Sequence, residues 1–416
     1  MIRPSKAIAG LPPYLFVHLI EFKKQAKARG HRIIDLGMGN PDLPTPNSIV
    51  DAMRQAAQDP ITHRYPMTKG SSEFRQAACN FYKRRFNVSV DPDKETVSLV
   101  GSKEGIGHLF LALTNPGDTV VIPSPAYPAH TNAPHVSQTR AHWAPLLEKN
   151  GFLLDFGQIP GSVLKKAKIL ILNYPNNPTG AVIEDKAYLK EAVRLSKKYG
   201  FLLLYDNPYS EITFDGYSSP SVLEIPGAKS CAIEFNSLSK TYSMAGWRIG
   251  YALGNPKAIA YLEKYKSFFD YGVPAFIQRA GVEALNSGLE REAALIYQRR
   301  RDVFIESVRA EAGWEFPKVK GSMYLWAKIP PKHQRGGSFA FVKKLVLETG
   351  VCVSPGVGFG REGEGYVRVA LVETEDRLKE ATSKIGAFLT YGKAPIPGPA
   401  AALRLPALGS APYQAS

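Results

Sequence analysis

Cys79, Cys231 and Cys352 are the only cysteines in 416 residues. They are odd in number and far apart, and no CxxC occurs. Neither a disulfide framework nor a structural zinc site is expected, and a reducing compartment, the cytoplasm, fits such usage. No apolar run reaches the ~18 residues a membrane-spanning helix needs. The opening MIRPSKAIAGLPPYLF carries basic residues but no apolar signal-peptide core. There is no G-x-x-x-x-G-K-[ST], so a nucleotide P-loop is excluded. GVGFG (356–360) is not G-x-G-x-x-G and reads as a turn-rich loop. Eight histidines show no metal-ligand spacing. Of these, His130 and His135 flank a loop and read as structural. No internal repeat is present.

The remaining composition is that of an ordinary globular chain, 44% hydrophobic and 21% charged. Its length suits two or three domains. The net charge is +15, from 52 basic and 37 acidic residues. An excess of this sign raises nucleic acid or membrane headgroups as partners. The basic residues are scattered, however. Their tightest groups, KKQAKARGHR (23–32) and QRRR (298–301), read as exposed helix faces, and no nucleic-acid fold signature accompanies them. Neither nucleic acid nor membrane is expected, and part of the charge is assigned to anionic small molecules.

Short apolar runs predict strands at TVSLVG (96–101), TVVIP (119–123), KILILNYP (168–175), FLLLYDNPY (201–209), SCAIEFNSLS (230–239) and RIGYALG (248–254). Several are apolar nearly throughout, as strands buried on both faces are. Helical patterns lie between many of them, among them EGIGHLFLAL (104–113) and KAYLKEAVRLSKKYG (186–200). Such alternation predicts a mostly parallel, doubly wound α/β sheet. A long helical region over 256–312 is followed by a strand at 322–330, a helix at 338–350, strands at 351–356 and 366–373, and a helix near 374–390. That order predicts a second, smaller α+β domain. The segment 392–416, rich in Pro, Ala, Gly and Ser, reads as a disordered tail.

Ligands of open α/β sheets collect at the carboxyl ends of strands. Four segments carry polar residues there. GSKEG (101–105) joins a strand end to a helix start, where free N–H groups and Ser102 suit a phosphate or form a plain cap. NYPNNPTG (173–180) is a rigid turn with more amides than a turn requires, and Asn177 has a hydrogen bond to offer a ligand oxygen. YDNPY (205–209) ends an apolar strand with Asp206, a carboxylate that needs a positive partner there. A protonated pyridine nitrogen would serve; a helix cap or an Asp–Arg bridge explains it equally well on this segment alone. Tyr209 lies three residues on.

SLSKTYSMAGWRIG (237–250) places Lys240 among hydroxyl residues, with Arg248 eight positions later. A lysine that forms a Schiff base with a phosphate-bearing aldehyde fits that setting, with Ser237 and Arg248 completing the phosphate cup. SLSK also matches S-x-x-K, the serine acyl-enzyme signature. It has neither S-D-N nor K-T-G beside it, and it follows a buried strand, which is the wrong context. Arg368, inside YVRVALV, suits a substrate carboxylate held bidentately, or an internal salt bridge.

Together, in this order, NPTG, the strand-ending Asp206, SLSK with its arginine and the late Arg368 resemble the class I/II aminotransferases, pyridoxal-phosphate enzymes of fold type I. The resemblance runs from about Leu11 to Leu389. LGMGNPDLPTP, HRYP, GSKEG, DGYSSPS, GWRIGYALGN and VCVSPGVGFG are most similar to the bacterial glutamate–pyruvate (alanine) aminotransferases and the LL-diaminopimelate aminotransferases. The resemblance implies that Lys240 carries the cofactor and shuttles the proton, and that Asp206 pairs with the ring nitrogen. Asn177 and Tyr209 would hold the ring oxygen, and Tyr127 would stack on the ring. Ser102, Lys103, Ser237, Ser239 and Arg248 would surround the phosphate. Arg368 would take the α-carboxylate, with the Gly39 backbone and Tyr14 nearby. Tyr65 would reach the phosphate of a second subunit, which implies a homodimer with shared sites.

It further implies an N-terminal arm and part of a small domain over 1–45, a large cofactor-binding domain over 46–285 and a small C-terminal domain over 286–391. The expected reaction is ping-pong transfer of an amino group between an alanine- or glutamate-type amino acid and pyruvate or 2-oxoglutarate. LL-diaminopimelate as substrate is the alternative. A β-lyase or a non-catalytic regulator on the same fold is more remote.

Overall fold

The computed structural model describes residues 2–11 and 15–391. Tyr14 and the 392–416 tail lie outside the described residues. The strands are β1 (Ile34–Asp35), β2 (Thr96–Leu99), β3 (Thr119–Ser124), β4 (Arg140–Pro145), β5 (Ala167–Asn173), β6 (Leu202–Asp206), β7 (Ala232–Ser237), β8 (Gly250–Gly254), β9 (Tyr324–Lys328), β10 (Val351–Cys352), β11 (Ser354–Pro355) and β12 (Tyr366–Ala370). Seven of them form one sheet in the order β2-β8-β7-β6-β5-β3-β4. Only β8 runs against its neighbours; every other pairing in that sheet is parallel.

The all-apolar strands are explained by what covers them. Along β5, Ile169 and Ile171 enter one apolar core while Leu170 and Leu172 enter another. Successive side chains of a strand point to opposite faces, so both faces of the sheet are buried and both must be apolar. Helices Ser102–Leu113 and Pro256–Phe269 cover one face through Ile106, Leu109, Ile259 and Leu262. Helices Ser72–Phe86, Ala187–Tyr199 and Ala275–Asn286 cover the other through Phe74, Leu189, Val193 and Ala280.

A third core gathers around the antiparallel strands β11-β12-β9. Helices Leu15–Ala28, Glu292–Ala312, Gly337–Thr349 and Glu375–Tyr391 contribute to it. β1 pairs in parallel with β10, Ile34 opposite Val351, so the start of the chain packs with its end. Among the described residues no helix is long and apolar enough to cross a membrane.

Several local expectations change. RAHWAP forms β4, an edge strand whose exposed and half-buried residues hide the apolar signal. The 256–312 region is three helices, Pro256–Phe269, Ala275–Asn286 and Glu292–Ala312; the first break holds Tyr271 and Gly272, both at positive φ. β8 starts at Gly250 because Arg248 adopts the left-handed conformation, φ 55°. His130 is in the first turn of a helix, Pro128–Ser137, and not in a loop.

Behind the sheet, Glu234 of β7 is fully buried. It accepts hydrogen bonds from Ser221 Oγ (2.5 Å), Tyr82 Oη (2.9 Å), Asn207 Nδ2 (2.9 Å) and the Val222 amide (3.1 Å). Burial pushes its carboxyl up to about 7, against the pull of these donors. A raised folded value means the native state binds the extra proton between about 4.5 and 7. The contribution is therefore fully present below the unfolded value and is lost as pH rises through the folded one. Urea unfolding is expected to show stability rising by a few kcal/mol at most as pH falls from about 7 to about 5. In Glu234→Gln that part of the rise disappears; an identical pH dependence in the variant would refute this account.

Candidate active site

The carboxyl ends of β5, β6 and β7 open on a cavity of about 540 Å³ between the large sheet and the third core. Each strand delivers one polar group on leaving the sheet. β7 ends in Ser237, whose Oγ accepts the Ser239 amide at 3.2 Å and starts the single turn Leu238–Thr241. That turn points Lys240 into the cavity, where Nζ donates to the Gly39 carbonyl at 2.8 Å. Burial lowers the Lys240 pKa; Arg368 and Arg248 lower it further, while Tyr324 opposes them.

β6 ends in Asp206, buried together with His130; Oδ2 lies 2.9 Å from His130 Nε2. Oδ1 is equally buried and meets no hydrogen-bond partner among the described residues. β5 ends in Asn173, which donates through Nδ2 to the Asp206 carbonyl at 2.7 Å and accepts the Asn177 amide at 3.0 Å through Oδ1. The Asn177 side chain accepts from Arg368 Nη1 at 2.9 Å. Arg368 Nη2 donates to the Gly37 carbonyl at 2.8 Å. The guanidinium lies 4.2 Å from the Tyr324 ring centroid and 4.6 Å from that of Phe359.

The helix Ser102–Leu113 starts on the same cavity, with Gly101 as its cap at φ 78°. A Cβ at Gly101 would fall 2.5 Å from Arg248 Nη2, so only glycine lets the arginine cross the helix start. Arg248 is held there by the carbonyls of Ala245 (2.9 Å) and Val100 (3.1 Å). Free amides, hydroxyls and cations thus converge on one corner, the composition of a phosphate site.

Of the residues singled out from sequence, Ser102, Lys103, Tyr127, Asn177, Asp206 and Tyr209 line this cavity. So do Ser237, Ser239, Lys240, Arg248, Arg368 and Gly39. Tyr65 does not. It is 89% exposed and packs on Tyr271, 5.4 Å between ring centroids. Two site residues escaped the sequence reading. His130, read as structural, is the partner of Asp206; its signal was the three-residue spacing from Tyr127, which puts both on one side of a helix start, and their rings meet edge to face at 5.6 Å. Tyr324 sat unmarked in YLWAK because a tyrosine suits any strand.

Pyridoxal phosphate fits these residues. The orphaned Asp206 Oδ1 suits a protonated ring nitrogen, the Gly101–Arg248 corner a phosphate, and a lysine with a lowered pKa an aldehyde. The sequence profile of aminotransferase class I and II matches residues 31–385. The chain is 44% identical over 386 residues to an LL-diaminopimelate aminotransferase of Dehalococcoides mccartyi, covering 92% of this chain and 98% of that protein. It is 45% identical to a putative aminotransferase, AatC, of Rhizobium meliloti, covering 91% and 94%. Substrate-bound BacF from Bacillus subtilis superposes with a TM-score of 0.88 at 36% identity, covering 93% and 98%. Cavity, core arrangement and similarity agree: the chain belongs to the class I and II aminotransferases, enzymes of fold type I that work with pyridoxal phosphate.

Proposed function

We propose that this aminotransferase takes its amino group from LL-diaminopimelate and passes it to a 2-oxo acid such as 2-oxoglutarate. The observation that carries the reading is the repeated similarity to proteins of that name, at 42–44% identity over nearly their full length, in Dehalococcoides, Moorella and Gloeobacter. It supports this reading over the alanine/glutamate pairing, which the sequence motifs, shared by the two groups, do not separate from it.

In this reading Ser102, Lys103, Ser237, Ser239 and Arg248 hold the phosphate, and Asn177 and Tyr209 the ring oxygen. Tyr127 covers the ring, and Asp206, oriented by His130, keeps the ring nitrogen protonated. The bound cofactor supplies the electron sink that weakens the substrate Cα–H bond. Arg368 binds the α-carboxylate, with the Gly39 backbone completing that end; Tyr14, which the resemblance adds there, lies outside the described residues. Lys240 Nζ, which reaches into the cavity, would take the α-proton and return it. Its lowered pKa supports this role, because a larger fraction of the amine is neutral at a given pH. The same groups serve both half-reactions, so the kinetics are ping-pong.

A large body over 46–285 and a small one from 1–45 and 286–391 are supported by the separate cores on either side of the cavity. A second copy of the chain is supported by an exposed aromatic face of Tyr65, Phe268, Phe269 and Tyr271 with Met67. The cytoplasm is supported by three free cysteines.

Three outcomes are expected. In the first, the visible band of the purified enzyme bleaches with LL-diaminopimelate and with glutamate and returns with 2-oxoglutarate. Bleaching by alanine as readily as by LL-diaminopimelate would restore the alanine reading. In the second, borohydride fixes no pyridoxyl group at position 240 of Lys240→Ala after pyridoxal phosphate is supplied, and turnover falls by at least about 10²-fold, the lower range for loss of a general base; unchanged turnover would end the assignment of Lys240. In the third, sedimentation finds a dimer that Phe268→Asp converts to monomer, and a monomeric unsubstituted protein would remove the shared-site proposal.

A further inference from the structure

Tyr324 has no part in the roles assigned so far, yet it touches three of the residues that have one. It is buried at the start of β9. Its ring lies beneath the Arg368 guanidinium, 4.2 Å from centroid to Cζ. Its hydroxyl accepts a hydrogen bond from Tyr209 at 3.3 Å. The same hydroxyl occupies the space where a side chain at Gly39 would begin: a Cβ there would fall 2.0 Å from it. Gly39 in turn offers its carbonyl to Lys240 Nζ at 2.8 Å. A phenol and an amine are therefore both seated against Gly39.

A buried phenol ordinarily holds its proton more tightly. Tyr209 does so, pushed well up by burial. Tyr324 moves the other way. Burial opposes its ionisation, but Lys240, Arg368 and the hydrogen bond from Tyr209 outweigh that and bring it below the usual tyrosine range. The effect is mutual. Burial is the largest influence on Lys240 and lowers its pKa; Tyr324 raises it, and Arg368 and Arg248 lower it. Asp206, Lys103 and Tyr127 also line this cavity, with His130 behind Asp206.

We propose that Tyr324 is a positioning residue for the amino transfer, its ring bracing Arg368 for the substrate carboxylate and its hydroxyl, seated against Gly39, biasing the charge of the Lys240 amine that the same glycine receives. The proposal rests on the reading of Lys240 given above. It adds that the readiness of this lysine depends on β9, a strand of the other core.

Two variants separate the two halves. Competitive acetylation of the apo-protein, read by mass spectrometry on the Lys240 peptide, gives the pH at which Nζ becomes nucleophilic without cofactor or turnover. In Tyr324→Phe that midpoint falls by about one pH unit, the order of shift that loss of a nearby charge partner produces. The KM for glutamate in the holoenzyme stays within about twofold, since the ring remains under Arg368. In Tyr324→Leu the midpoint falls in the same way and the KM for glutamate rises roughly tenfold. An unmoved midpoint in Tyr324→Phe overturns the charge-biasing half, and an unchanged KM in Tyr324→Leu overturns the bracing half. Failure of borohydride to fix pyridoxal phosphate to Lys240 in the unsubstituted protein is a separate result; it would remove the underlying reading, whatever the acetylation midpoint.

Discussion

A carboxylate at the end of a strand buried on both faces governs this molecule. Asp206 has lost its water, and one of its oxygens has found His130. The other has no partner among the described residues. A buried charge left half satisfied is expensive, and a fold tolerates it where a ligand completes the set. Much of the site serves that carboxylate. Asn173 holds its backbone, the helix carrying His130 holds one oxygen, and β7 next door delivers Lys240 to the same cavity.

How much of this could be read in the sequence differed from element to element. The parallel sheet was legible because burial on both faces forces continuous apolar runs, as in KILIL and FLLLY. β4 was not, since an edge strand with an exposed face obeys no such rule. Asp206 and Arg368 stood out because charges are rare in apolar runs, and Lys240 and Arg248 because of the hydroxyl residues around the lysine and the eight positions between the two. His130 and Tyr324 did not, because neither residue type is out of place where it sits. Their importance lies in what they touch: His130 meets an aspartate 76 positions away, and Tyr324 a tyrosine 115 positions away. No local pattern records a contact of that span. Tyr65, by contrast, was named from the resemblance alone, and within a single chain it sits outside the cavity.

The two arginines show one residue type used in two ways. Arg248 is fixed by backbone carbonyls at a helix start, which suits it to a compact, multiply charged group. Arg368 is flanked by two aromatic faces and an asparagine, which narrows its open edge to something flat and singly charged. Both favour the neutral form of Lys240, so the two cations of the cavity also tune its amine.

The pairing of β1 with β10 has a consequence for the making of the protein. Ile34 meets Val351, and the stretch just after β1 supplies Gly39, whose carbonyl receives Lys240. As the chain leaves the ribosome, the large sheet has all seven strands by residue 254. The segment around residues 34–40 must still wait for nearly 100 more residues before its own neighbour exists. Contacts so distant along the chain form late. The lysine is therefore seated before the carbonyl that receives it has a fixed place, and the catalytic cavity closes only when the last strands arrive.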